Sequence, residues 1–132
     1  MGDAGGPVGG GEQTVVVVDD DPEAVGLAST YVRRVDADVT VWTETDPVRA
    51  LEYVVAERPR CVVSDYEMPE MDGIEFLTAV RERHPDVPFV LFTGVDDREI
   101  AARVRDYDAT YLQKASDGYR RLQEHVAAVV GD

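Results

Sequence analysis

Apolar runs and amphipathic stretches take turns along this chain, and the period of the pattern changes at each turn. Thr14 to Val18 is an unbroken, mostly β-branched run, which predicts a strand. Ala24, Val25, Ala28, Tyr31, Val32 and Val35 then recur at helical spacing. Asp38 to Trp42 is a short strand pattern, and Asp46 with Pro47 supplies an N-cap and a first-turn proline ahead of Val48, Leu51, Val54 and Val55. Cys61 to Ser64 is a third strand. Ile74, Phe76, Leu77 and Val80 predict a helix ending near His84, because Pro85 disfavours helical backbone in the residue before it. Phe89 to Phe92 is a fourth strand, followed by Ile100, Ala101 and Val104 on a helix capped by Asp96 or Asp97. Ala109 to Leu112 is a fifth strand, and Ser116 caps a last helix carrying Tyr119, Leu122, Val126 and Val129.

Five strand-helix units in regular alternation predict an α/β fold with a parallel sheet, since each parallel crossover needs a helix to return the chain. Strands apolar at consecutive positions suit a sheet covered on both faces. A chain of 132 residues with 44% hydrophobic content supports one core. The expected organisation is a disordered glycine-rich leader over residues 1–13 and one domain over 14–130. No apolar stretch has membrane-spanning length and the leader lacks signal-peptide character, so the expectation is a soluble, cytoplasmic protein. The chain stops just past its last helix, as either a stand-alone protein or a portion of a longer one.

Charge narrows the function. There are 27 acidic residues against 13 basic ones, a net of −14, spread along the chain instead of gathered in a tail. Such a surface repels phosphate backbones and anionic lipid, which argues against direct nucleic-acid or membrane binding. It also suits concentrated salt, where screening shortens to about 3 Å at 1 M. All but one of the basic residues are arginine, Lys114 being the sole lysine. The single cysteine, Cys61, lies inside an apolar run and reads as a buried small hydrophobe. His84 and His125 are too isolated to pair on a metal, and Trp42 reads as packing.

In an open sheet of this class, ligands bind beyond the carboxyl ends of the strands. Here those ends carry Asp19, Asp20 and Asp21, then Asp65, Thr93 and Lys114. Each has a plainer use taken singly: a helix cap for Asp21, a turn residue for Asp65 or Thr93, a solvated lysine for Lys114. Their co-occurrence on one edge of the sheet favours chemistry. Carboxylates at about 5 Å and an effective dielectric near 20 repel by about 3 kcal/mol per pair, so a proton or a hard divalent cation is needed among them. Magnesium suits such oxygen ligands, and phosphoryl transfer to a carboxylate is the chemistry the set supports.

In order and spacing, VVVVDDDP, VVSDYEMPEMDGIEFL, LFTG and YLQK resemble the acidic pair, phosphoacceptor loop, threonine turn and lysine turn of the receiver domain of two-component response regulators. The resemblance covers about residues 14 to 130 and implies a flavodoxin-like (βα)5 doubly wound parallel sheet of strand order 2-1-3-4-5. It implies that Asp65 accepts a phosphoryl group from a sensor histidine kinase. Mg2+, or Mn2+, is then held by Asp20 directly, by Asp19 through water, by Asp65, and by the backbone carbonyl of Glu67. Lys114 and Thr93 contact the phosphoryl oxygens, Thr93 and Tyr111 form the switch, and residues 96–130 are the output surface and a possible homodimer face. Such a protein is a phosphoacceptor that catalyses only its own phosphorylation and dephosphorylation. Its downstream target is not identified by sequence.

The chain departs from the family pattern at Ala115, where a proline usually follows the lysine in a cis bond; a trans bond is expected before alanine. Glu67 and Val95 hold positions that tune dephosphorylation in relatives. Two other readings compete. A degenerate receiver would bind partners without phosphorylation. Asp19 and Asp21 also resemble the D-x-D of haloacid-dehalogenase-type phosphatases, but that motif wants Thr or Val where this chain has Glu23.

Overall fold

The computed structural model describes residues 13–115 and 117–131. Strand β1 (Thr14–Val18) leads into helix α1 (Pro22–Arg33), and the alternation continues through β2 (Thr40–Glu44), α2 (Pro47–Glu57), β3 (Cys61–Ser64) and α3 (Gly73–Arg83). It closes with β4 (Phe89–Thr93), α4 (Arg98–Asp106), β5 (Thr110–Gln113) and α5 (Gly118–Val130). All four strand pairings are parallel, in the order β2-β1-β3-β4-β5. This is the parallel α/β sheet expected from the pattern, in the flavodoxin-like strand order that the resemblance implied.

Aspartates start the helices. Asp21, Asp46 and Asp97 each accept hydrogen bonds from backbone N–H groups one turn in, and prolines follow the first two. Of the two candidates for α4, Asp97 is the cap. Helix α3 begins with a reciprocal capping box between Asp72 and Glu75, a signal not read from the sequence. The expected Ser116 cap and most of the leader lie outside the described residues; Asp117 occupies the N-cap position of α5 without a side-chain cap bond.

Three strands differ from their expected bounds: β4 runs on to Thr93, paired with Gln113, β2 runs on to Glu44, paired with Val18, and the starts of β2 and β5 shift as well. β2 begins at Thr40 instead of Asp38, because Asp36 accepts from the backbone N–H of Asp38 and its carbonyl accepts from Val39, holding that stretch in a turn. β5 runs Thr110–Gln113 instead of Ala109–Leu112: Ala109 N–H still closes the end of α4 on the Val104 carbonyl.

Alternation along the strands sorts the core into two layers. Val16, Val18, Val62, Phe89 and Leu91 face α2, α3 and α4. Val15, Val17, Val63, Val90 and Phe92 face α1 and α5. Cys61 is wholly buried on this second side, where burial pushes its thiol up to about 12, so it is an inert core residue at neutral pH. Trp42 stacks on Tyr53 at 4.0 Å, the packing role expected of it. His84 caps the end of α3 and meets the Val54 and Val55 carbonyls of α2. Among the described residues no helix is long and apolar enough to cross a membrane.

Candidate functional site

Register brings the strand ends together. Val18 pairs with Ser64, so the next residues, Asp19 and Asp65, emerge side by side from neighbouring strands. Their backbones continue the ladder, Asp65 N–H donating to the Val18 carbonyl at 3.0 Å and Asp19 N–H to the Glu44 carbonyl at 3.2 Å. Thr93 pairs with Gln113, and Lys114 N–H donates to the Thr93 carbonyl at 2.9 Å, which brings the lysine to the same edge. The two-residue period then assigns sides. Asp19, Asp65 and Lys114 fall on the α1/α5 side by parity with Val17, Val63 and Leu112; Thr93 and Tyr111 fall on the α4 side.

Asp19, Asp20 and Asp65 each offer a carboxylate oxygen, all within 4.8 Å of one another. Asp19 is only 4% exposed, whereas Asp20 faces solvent. A buried carboxylate needs partners, and Asp19 has two: the Asp21 N–H at 3.0 Å and the Lys114 ammonium at 2.7 Å. The ammonium lies 3.7 Å from Asp65 as well. Besides any proton or cation, part of the counter-charge is supplied by Lys114 itself, whose place between the two carboxylates depends on a contact 95 residues away in sequence.

Electrostatics follow from this packing. Burial, then the neighbouring Asp19 charge, hold the Asp65 carboxyl above its ordinary value, against the opposing pull of Lys114, the Tyr66 N–H and the Thr93 hydroxyl. Burial pushes the Lys114 ammonium down, but the Asp19 hydrogen bond and the charges of Asp65 and Asp19 together hold it above its ordinary value. A carboxylate with raised proton affinity is a better nucleophile wherever it remains ionised.

The loop after β3 is tightly built. Ser64 Oγ donates to the Asp65 carbonyl at 2.9 Å and lies 4.0 Å from the buried Met68 sulfur. Gly73 N–H donates to the Tyr66 carbonyl at 2.7 Å, and a Cβ on Gly73 would come within 2.5 Å of the Asp65 carbonyl oxygen and of Leu91. Only glycine lets α3 start this close to the loop. Glu67 lies two residues past Asp65 with its side chain exposed. Hard oxygen donors clustered this closely, one of them buried and one solvent-facing, fit a divalent cation.

Thr93 is 1% exposed at the end of β4, and its hydroxyl accepts from Val95 N–H at 3.2 Å. Tyr111 donates its hydroxyl to the Val95 carbonyl and accepts from Asp97 N–H at 3.3 Å, linking β5 to the start of α4. The Lys114–Ala115 bond is trans, since there is no cis peptide among the described residues. In the sequence pattern Phe92 and Tyr119 appear only as members of the fourth strand and the last helix. Phe92 lies beneath the Lys114 ammonium, and Tyr119 lies in the field of Lys114, Asp19, Asp65 and Asp21, its phenol pushed up chiefly by burial. Strand parity puts Phe92 on the lysine's side, but nothing in helical spacing distinguishes Tyr119 from an ordinary core position.

The response regulator receiver domain model matches residues 15–127. The chain is 34% identical over 88 residues to the cyclic di-GMP phosphodiesterase response regulator RpfG of Xanthomonas campestris, covering 65% of this chain and 23% of that protein. It is 34% identical over 111 residues to an uncharacterised 14.6 kDa protein of Leptolyngbya boryana, covering 80% of this chain and 82% of the other. Among solved structures, the Vibrio cholerae chemotaxis protein CheY4 superposes with a TM-score of 0.75 at 27% identity, covering 88% of this chain and 97% of that one.

Proposed function

Since the chain belongs to the response regulator receiver domain family, we propose that it is a phosphoacceptor, taking a phosphoryl group onto the Asp65 carboxylate from the phosphohistidine of a sensor kinase. The observation that carries this reading is the Asp19, Asp20 and Asp65 cluster within 4.8 Å, with the only lysine of the chain held between two of its members. An Asp65 oxygen attacks phosphorus, the P–N bond to the donor imidazole breaks, and its electron pair returns to that nitrogen, which then takes a proton. The transferring group spreads charge over its oxygens, so the protein contributes positioning and counter-charge more than covalent chemistry. Lys114, 3.7 Å from Asp65, would turn from Asp19 toward the new oxygens, and the Thr93 hydroxyl, now accepting from Val95 N–H at the end of β4, would turn to meet them.

Asp20, Asp65, the Glu67 carbonyl and, through water, Asp19 would hold Mg2+ or Mn2+. When bound, the ion supplies charge neutralisation for the carboxylates and the incoming phosphoryl oxygens. The doubly negative group draws on the Thr93 hydroxyl, and Tyr111 follows, altering the 96–130 surface that a downstream partner or a second copy reads. On this reading the protein works in the cytoplasm and turns over nothing but its own phosphoryl group. The test is incubation with Mg2+ and acetyl phosphate followed by mass spectrometry. One phosphoryl group on Asp65, absent from Asp65→Asn, is expected; an unmodified parent at saturating Mg2+ rules the reading out.

A further inference from the structure

The Lys114 ammonium does not rest on carboxylates alone. Its nitrogen stands 5.7 Å from the centroid of the Phe92 ring, within the range of a cation–π contact. Phe92 is 2% exposed, and its ring is met by that of Tyr119 at 4.9 Å with the planes at 86°. Behind Tyr119, on α1, the Tyr31 ring leans at 5.4 Å. Tyr119 reaches this position because Gly118 before it lacks a Cβ, which would fall 2.1 Å from the Gln113 carbonyl oxygen. The first turn of α5 therefore lies directly on the backbone one residue before Lys114.

We propose that Tyr119 is a positioning residue for phosphoryl transfer, bracing the Phe92 ring so that its face fixes the Lys114 ammonium between Asp19 and Asp65. The proposal rests on the phosphoacceptor reading of Asp65. A lysine ammonium is a point charge on a flexible four-carbon stem, and attraction to carboxylates does little to orient it. An aromatic face adds a second, differently directed constraint. A phenyl ring turns easily about its last torsion unless something stands perpendicular to it, and an edge-to-face neighbour does so. At Asp65 the distance matters: the ammonium lies 2.7 Å from Asp19 and 3.7 Å from Asp65, and must meet oxygens arriving at the latter. Misplacing a positioned group by about 1 Å slows a reaction by up to about 100-fold.

Because Lys114 is the only lysine, protein grown with ¹³Cε-lysine gives a single side-chain signal. In the parent, its ε-methylene protons are expected upfield of free lysine, shifted by the Phe92 ring current. Tyr119→Leu should return that signal toward the free position and slow Mg2+-dependent phosphorylation by acetyl phosphate about tenfold, leaving the half-saturating donor concentration within about twofold. Tyr119→Phe, which keeps the ring, should restore both. An unshifted parental signal, or parental rate and shift in folded Tyr119→Leu, overturns the proposal. If Tyr119→Leu does not fold, Tyr119→Met is read by the same two outcomes, and the parental shift decides independently of any variant. A parent that takes up no phosphoryl group sinks the phosphoacceptor reading and this one together. A parent that is phosphorylated while folded Tyr119→Leu, or Tyr119→Met in its place, keeps pace sinks this one alone.

Discussion

At Asp65, burial and the Asp19 carboxylate oppose ionisation of the carboxyl group. The consequence for stability has a definite sign. A carboxyl whose folded-state proton affinity is raised binds its proton more tightly folded than unfolded, so stability falls as pH rises through the window from its unfolded value to the raised one. Asp65→Asn removes that loss; in chelator at pH 7 it should be more stable than the parent, the gap closing in acid. Urea titrations at pH 7 and at pH 3 check this, and a less stable variant at neutral pH contradicts it. Lys114 has the opposite role: with its ammonium removed, as in Lys114→Met, Asp19 loses a 2.7 Å charged partner while buried. A loss of about 2 kcal/mol is expected, largely recovered in the double variant with Asp19→Asn, as a double-mutant cycle reads. Sequence reasoning reached Asp19, Asp20, Asp65, Thr93 and Lys114 as a set because their types are unusual at strand ends. It did not reach the Lys114–Asp19 pair, or the rings beneath it, because those contacts join strands and helices far apart in the chain.

Helix starts were legible because capping is local: Asp21, Asp46 and Asp97 act on backbone within three residues of themselves. Removing the two bonds that Asp97 accepts at the head of α4 in Asp97→Ala should destabilise by about 1 kcal/mol in chemical denaturation. Strand starts were less legible. The apolar run of β2 reads from Asp38, yet pairing begins only where Thr40 N–H reaches the Gln13 carbonyl, and a turn held by Asp36 delays it. Between β3 and α3 the close approach at Gly73 is a demand made by the loop and Leu91 rather than by any turn signal. Gly73→Ala is expected to cost about 2 kcal/mol and to slow Asp65 phosphorylation, since the backbone that must yield is that of Asp65 itself. Parental melting and phosphorylation in this variant would contradict the geometry.

Over the whole molecule, a net charge of −14 works against compaction in dilute buffer. Raising KCl to 1 M cuts the screening length to about 3 Å and should raise the melting temperature, with most of the gain at the low end of the salt range. A melt indifferent to salt argues against adaptation to concentrated salt. The same acidity lies around the Asp19, Asp20 and Asp65 cluster, where the carboxylates themselves need a counter-charge. The parallel topology of the sheet explains why the candidate site residues gather on one edge: all five strands run the same way, so all five carboxyl ends meet there.

The order of strands and helices, the two-sided burial of the sheet and the residue types at the strand ends were determined by the sequence itself. Hydrophobic period, capping and proline act over a few residues and can be read in one pass. The tertiary structure decided which ends become neighbours and on which side each projects. Register sets Asp19 beside Asp65, parity turns Lys114 to their side and Thr93 to the other, and helix packing brings Tyr119 against Phe92. Those relations depend on pairing between segments distant in the chain, a property of how the strands stack and not of any window of residues along it.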